Sequence, residues 1–167
     1  MAAMAFGCAV AAQTLDELRQ NKNTDNVVNF GMGYNLQMWS PLKQINKSNI
    51  KRLVRAWTFS TANQNGELSQ PAVYNGVMYV VNANWTYAID VVTGRQIWRT
   101  SVNFDRGVMR VASTGAILRG APTLYDGKLF RQTLDGFVVA LDQKSGKEIW
   151  RTRFCEFNEG CRGTSMP

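Results

Sequence analysis

Residues 88–100 read AIDVVTGRQIWRT and residues 140–152 read ALDQKSGKEIWRT, so Ala, Asp, Gly, Ile, Trp, Arg and Thr recur at an offset of 52. Upstream, PAVYNGVMY at 71–79 matches PTLYDGKLF at 122–130 at an offset of 51. The difference of one residue fits an insertion in a loop. A period near 50 residues indicates that the chain repeats one supersecondary unit.

Each repeat predicts four short antiparallel strands. Asn75-Gly76 and Asp126-Gly127 are two-residue hairpin turns, because a type I′ turn needs positive φ at both central positions. Runs of β-forming residues surround these turns and a later glycine, which is Gly94 in one repeat and Gly146 in the other. The predicted strands include 77–81, 87–89 and 95–100, and then 129–133, 137–141 and 147–152.

A four-stranded repeat of this length is typical of a β-propeller blade. An all-β sandwich is the alternative, but it leaves the recurring Trp unexplained. We therefore predict an all-β fold, a β-propeller of four-stranded antiparallel blades, with blades near 69–100 and 120–153.

Partial units flank the two repeats. Residues 53–58, LVRAWT, resemble the fourth strand of an earlier blade, and SMP at 165–167 resembles the opening of the next, which would start at 164. The propeller stretch is thus predicted to cover 53–167. Residues 13–52 lack strand periodicity, and we expect them to be irregular apart from a short helix over 15–22.

The N-terminus predicts export to the periplasm. Residues 1–12 form a short apolar run that ends in small residues, as before a signal-peptide cleavage site, although a basic start is missing. An ordinary small helix and a lipoprotein signal ending at Cys8 are the alternatives. No segment reaches the roughly 20 apolar residues that span a membrane.

Composition excludes several functions. The net charge is +7, but the basic residues are scattered at turns, so no nucleic-acid partner is expected. The absence of histidine removes His-based triads, His metal ligands and a c-type haem site. Cys8, Cys155 and Cys161 form no CxxC pair, so no zinc site is predicted. Cys155 and Cys161 are close enough in sequence for a local disulfide if their Cα atoms approach.

The unit AxDxxxGxxxW resembles the tryptophan-docking motif of the quinoprotein alcohol dehydrogenases. That resemblance implies eight blades closed in a ring, with Trp98 and Trp150 packed on neighbouring blades. A propeller lipoprotein of the outer-membrane assembly machinery has similar repeats and no cofactor. Residues 34–57, 66–71 and 110–120 favour the enzymes, because they resemble the start of mature methanol and ethanol dehydrogenases and two of their cofactor segments.

The resemblance implies that pyrroloquinoline quinone (PQQ) contacts Glu67, Arg119 and Thr164. Glu67 lies four residues before Pro71, whereas many family members place the Glu three before the Pro. Ser113-Thr114 stands where the family has a vicinal Cys pair whose disulfide covers one face of the quinone. This departure puts redox tuning in doubt more than cofactor binding.

The implied reaction is oxidation of a primary alcohol by PQQ with a calcium or lanthanide ion, and electron transfer to a cytochrome c. The catalytic base and the metal ligands are expected in later blades, beyond residue 167, so we expect no catalytic residue here. The family also has a disulfide that starts near Cys155, which makes a partner beyond the chain's end the alternative to Cys161. Competing interpretations are a non-catalytic propeller scaffold and an inactive truncated product.

Overall fold

Two four-stranded antiparallel sheets make up most of the molecule. The computed structural model describes residues 13–20, 25–62, 67–111, 120–161 and 163. Each sheet is a meander, in the order β1-β2-β3-β4 and β5-β6-β7-β8. The first sheet comprises β1 (Ala72–Tyr74), β2 (Val77–Val81), β3 (Trp85–Asp90) and β4 (Gln96–Ser101). The second comprises β5 (Thr123–Tyr125), β6 (Lys128–Gln132), β7 (Phe137–Asp142) and β8 (Glu148–Arg153).

The turns follow the repeat. Asn75 and Gly76 have φ of 47° and 76°, and Asp126 and Gly127 have φ of 49° and 69°, so both predicted type I′ hairpins are confirmed. The register shifts at Ala88 in the first sheet and at Ala140 in the second, so both sheets bulge at the same repeat position. The shared pattern therefore extends to backbone irregularities.

The sheets pack face to face around one apolar core. Buried residues of both sheets meet there, together with Leu18 and Val28 of the N-terminal segment. The members from the sheets are Ala72, Tyr74, Tyr79, Ala88, Leu124, Leu129, Val139 and Leu141. The small Ala88, at 0% exposure, leaves room for its cross-strand neighbour Trp98, which packs against this core.

Trp98 joins the sheets through its indole ring. A Cβ built on Gly146 would lie 2.5 Å from Cε3 of Trp98, so the ring lies directly on the glycine backbone. The Trp98 indole N–H donates to the carbonyl of Gln143 at 3.1 Å. Trp57 contacts the first sheet in the same way, lying on Gly94 and donating to the carbonyl of Val91 at 2.9 Å.

Trp150 differs from Trp98 because no sheet of the described residues lies on its outer side. It contacts Phe130 within its own sheet, with ring centroids 5.9 Å apart, and is 40% exposed. The resemblance implies that Trp150 packs on a neighbouring blade. Such packing would require a further sheet on the outer side of β8.

The described part of the N-terminal segment has little regular secondary structure. Helix α1 (Leu15–Gln20) starts with a capping box, in which Thr14 Oγ accepts from the Glu17 N–H and Glu17 accepts from the Thr14 N–H. Residues 21 and 22 of the predicted helix lie outside the described residues. Val27 forms an isolated bridge with Val73. Residues 53–58 pair with no strand in the described part, although they were predicted to be a fourth strand.

Candidate functional site

One end of the two sheets collects the loops that carry the predicted site. The pairs Val81↔Thr86 and Trp85↔Ser101 place the β2–β3 turn beside the end of β4. The second sheet repeats this arrangement, so the β6–β7 turn and the segments before β1, between β4 and β5, and after β8 all meet at this end. We call it the site end. The hairpin turns that contain Gly76, Gly94, Gly127 and Gly146 lie at the opposite end.

A small second core supports the site end. It joins the two turns to α2 (Val108–Val111) and to a 3₁₀ turn at Phe157–Glu159. Its buried members are Ala83, Phe104, Val108, Leu134 and Phe157. The segment after β4 is therefore anchored by apolar contacts before it reaches residues 112–119.

Polar contacts fasten the same segment to both turns. The Asp105 N–H donates to the buried Asp135 carboxylate at 2.9 Å, and that carboxylate also accepts from the Thr133 hydroxyl. Arg106 donates to the Asn84 side-chain oxygen at 2.9 Å. The segment that leads to Ser113, Thr114 and Arg119 is thus tied to both sheets.

Glu67 lies at the site end with its carboxylate accessible. Its side chain is exposed, and it accepts a hydrogen bond of 2.8 Å from Nδ2 of Asn82. The Asn82 side-chain oxygen accepts from the N–H groups of Asn84 and Trp85, at 3.0 and 2.8 Å. Because the oxygen is engaged in the turn, the amide nitrogen of Asn82 faces Glu67.

The other predicted site residues, Ser113, Thr114, Arg119 and Thr164, lie outside the described residues. Two neighbours are described and buried at the site end: Gly120, which follows Arg119 and precedes β5, and Gly163, which precedes Thr164 and lies on the β6–β7 turn. A Cβ on Gly163 would be 2.4 Å from the Thr133 carbonyl oxygen. The structure therefore brings Glu67 and the flanks of the other segments to one end, while the positions of those four residues stay predictions.

A disulfide between Cys155 and Cys161 lies just before Gly163, with a Cα–Cα distance of 5.9 Å. This answers the question that the sequence left open, in favour of the local pair. The backbone at Cys155 packs on Gly136 of the β6–β7 turn, where a Cβ would lie 2.2 Å from the Cys155 carbonyl oxygen. The loop that precedes Thr164 is thereby held to the second sheet.

Arg131 is a buried cation that sequence reasoning did not identify. It is 2% exposed, and its guanidinium donates to the carbonyls of Asn82 and Trp85 and to the hydroxyl of Thr86. Complete burial lowers the pKa of Arg131 to about 9, so it is charged at neutral pH. The sequence held one signal of this residue. Its counterpart 51 residues earlier, in the first repeat, is the apolar Val80, so the repeat is broken at this position.

No metal centre is evident in the described part of the chain. No group of three or more Cys, Asp or Glu side chains is placed to hold an ion among these residues. None of the described helices has the length and apolar character needed to cross a membrane.

Stacked four-stranded antiparallel sheets, each carrying the indole of a preceding unit, define this protein as part of a β-propeller. Residues 28–121 match the family described as PQQ: glucose/ethanol/alcohol dehydrogenase, beta-propeller domain. The match covers more than half of the chain. The chain belongs to this PQQ β-propeller family, and the predicted fold class and family are confirmed.

Two curated relatives agree with this assignment. The chain is 35% identical to a quinoprotein ethanol dehydrogenase of Pseudomonas aeruginosa, over 99% of this chain and 27% of that protein. It is 35% identical to a 1-butanol dehydrogenase (quinone) of Thauera butanivorans, over 91% of this chain and 24% of that protein. The chain spans about a quarter of the length of these relatives.

Solved structures give the same result. The chain superposes on a europium-containing methanol dehydrogenase with a TM-score of 0.82 and 31% identity, over 90% of this chain and 27% of that one. It superposes on the quinohemoprotein alcohol dehydrogenase of Comamonas testosteroni with a TM-score of 0.73 and 30% identity, over 82% and 20% of the two chains.

Proposed function

We propose that the protein carrying this chain is a periplasmic quinoprotein dehydrogenase. It oxidises primary alcohols with PQQ and a calcium or lanthanide ion, and it passes electrons to a cytochrome c. The observation that carries this proposal is the 35% identity to a quinoprotein ethanol dehydrogenase along 99% of the chain. The local disulfide between Cys155 and Cys161 supports a periplasmic location, because structural disulfides persist in oxidising compartments.

The chemistry of the site end fits PQQ, which is a planar tricarboxylate. Arg131 places a buried positive charge beneath the β2–β3 turn, and within the described residues no carboxylate forms an ion pair with it. Its guanidinium is 2% exposed and bonded to Asn82, Trp85 and Thr86, so it supports the turn from below and presents no donor to a ligand. Glu67 adds an exposed acceptor whose position is fixed by Asn82.

When bound, PQQ supplies the redox centre that accepts a hydride equivalent from the alcohol. Arg119 would pair with its carboxylate or quinone oxygens, since a planar guanidinium engages two oxygens at once. Thr164 and Glu67 would add hydrogen bonds, and the backbone at Ser113 and Thr114 would cover one ring face. In this assignment the chain would bind and orient the cofactor, while other parts of the protein would supply the catalytic base, the metal ligands and the remaining blades.

Glu67→Gln tests the proposed cofactor site. The measurements are PQQ affinity and alcohol-dependent dye reduction by the full-length protein, loaded with calcium or a lanthanide. A hydrogen bond to a charged group contributes about 1.5–3 kcal/mol, so we expect PQQ affinity to fall roughly tenfold or more. Glu159→Gln, which changes another exposed carboxylate near the site end, is the matched control and should leave the affinity unchanged.

Two results would contradict the proposal. If the full-length protein binds no PQQ and reduces no dye with any primary alcohol, the enzymatic assignment fails and a propeller scaffold is the better interpretation. If it binds PQQ with equal affinity in the wild type and in Glu67→Gln, the family assignment survives but Glu67 is not a cofactor ligand.

A further inference from the structure

Arg131 connects the two sheets directly beneath the site end. It belongs to β6 of the second sheet, yet three of its hydrogen bonds reach the first sheet. Nη2 donates to the Asn82 carbonyl at 2.8 Å, and Nη1 donates to the Trp85 carbonyl at 3.0 Å and to Thr86 Oγ1 at 2.9 Å. Its Nε donates to the carbonyl of the adjacent Gln132 at 3.2 Å.

Burying this guanidinium carries an energetic cost, because removing a charge from water is unfavourable unless its donors are satisfied. The same repeat position in the first sheet holds Val80, so the blade architecture itself does not require a cation there. The acceptors are also unusual, since they are neutral groups rather than a carboxylate: the Asn82 carbonyl in the turn, two groups at the start of β3 and the carbonyl of the adjacent Gln132. A fork of five donors can hold several carbonyls of a turn at once, which no aliphatic side chain can do.

The turn that Arg131 holds is the one that orients Glu67. Asn82 gives its backbone carbonyl to Arg131, its side-chain oxygen to the N–H groups of Asn84 and Trp85, and its amide nitrogen to Glu67. Each of these bonds fixes one part of the same residue. A continuous set of contacts therefore runs from β6 through Asn82 to the exposed carboxylate.

We propose that Arg131 is a positioning residue of the cofactor site: it fixes the β2–β3 turn of the neighbouring sheet so that Asn82 holds Glu67 in its binding orientation. This inference rests on the proposed function, because it takes Glu67 to be a cofactor contact. Without Arg131 the sheets still pack through their shared core and through Trp98 on Gly146. The turn and the start of β3, however, lose the three hydrogen bonds that Arg131 donates to them.

The first test measures the turn without any cofactor, by hydrogen exchange of the Asn84 and Trp85 amides in the full-length protein. In Arg131→Met these amides should exchange at least tenfold faster than in the wild type. Tyr79→Phe is the matched control, since it removes another hydrogen bond between the sheets, from the Tyr79 hydroxyl to the Gln143 carbonyl at 3.5 Å, in the β7–β8 turn at the opposite end. That variant should leave the turn amides unchanged.

The second test is a double-mutant cycle on PQQ affinity. Arg131→Met alone should weaken binding about tenfold, but it should change affinity less than twofold when Glu67→Gln is already present. A purely structural role would weaken both backgrounds equally. Arg131→Lys, which keeps the charge but reaches fewer acceptors, should give intermediate exchange and affinity and serves if the Met variant does not fold.

The two measurements separate the possible failures. Unchanged exchange at Asn84 and Trp85, or an affinity loss that is additive with Glu67→Gln, would overturn the positioning role of Arg131. If Glu67→Gln itself leaves PQQ affinity unchanged, the cofactor role of Glu67 is wrong. Arg131 then positions no cofactor contact, whatever the exchange rates show for the turn.

Discussion

At the scale of single residues, the contact between Trp98 and Gly146 holds the two sheets together. Gly146 has φ of 71°, a conformation that side chains rarely adopt, and an added Cβ would lie 2.5 Å from the indole and 2.6 Å from Thr100 Oγ1. Gly146→Ala therefore combines backbone strain with overpacking. We expect the free energy of unfolding to fall by roughly 2–4 kcal/mol, measured by urea denaturation.

Gly127→Ala separates these two effects. Gly127 belongs to the same sheet and has φ of 69°, but no atom lies within 4 Å of an added Cβ. Only the backbone cost should appear, about 1 kcal/mol. Equal losses in the two variants would mean that Trp98 does not press on Gly146 in solution.

The residues that could be predicted from the sequence are those that the repeat duplicates. Trp98, Gly146 and the turn residues recur at a fixed offset, and each role follows from its twin. Arg131 could not be found in this way, because its twin is Val80 and its burial depends on carbonyls that the other sheet presents. A break in the repeat was visible, but the acceptors that stabilise the buried cation were not.

At the scale of elements, an aspartate closes the turn before the fourth strand of each sheet. Hydrogen bonds from the hydroxyl and backbone N–H of Ser145 lower the pKa of Asp142 below its ordinary value of 3.8. Because the folded pKa is the lower one, the ionised carboxylate contributes stability above the unfolded pKa. That contribution is lost as the pH falls through the folded pKa.

Asp142→Asn should remove this part of the acid sensitivity. The free energy of unfolding of the wild type should decline below about pH 4, and the decline should be shallower in the variant. Ser145→Ala is the control, since it keeps the carboxylate and removes only the hydroxyl donor, and its decline should be intermediate. Parallel pH profiles for wild type and Asp142→Asn would show that this turn does not carry the effect.

The strands were predictable because turn chemistry and alternation act locally. The candidate site was predictable only as segments, through resemblance, since its residues come from three connections that the meander topology brings to one end. Glu67 illustrates the limit. Its sequence position suggested a cofactor contact, but its orientation depends on the side chain of Asn82, which lies beyond β1 and β2.

At the scale of the whole molecule, uncovered faces flank the two sheets. Leu53 and Val54 are 57% and 87% exposed beside the docked Trp57, and on the far side Ile149 and Trp150 are 49% and 40% exposed. Exposed apolar surface of this kind is normally covered by another element. In a closed propeller, the neighbouring blades on either side of this pair would cover both faces.

A polypeptide of residues 1–167 alone should therefore show no alcohol-dependent dye reduction, even with PQQ and calcium or a lanthanide added. Two blades cannot close a ring, and repeat arrays generally need at least three units before packing outweighs chain entropy. Apolar faces and open sheet edges also favour self-association, which gel filtration would detect. Moreover, the base and metal ligands that the resemblance implies would lie in later blades. Turnover by this polypeptide above that of free PQQ would show that the reaction needs only groups within these residues.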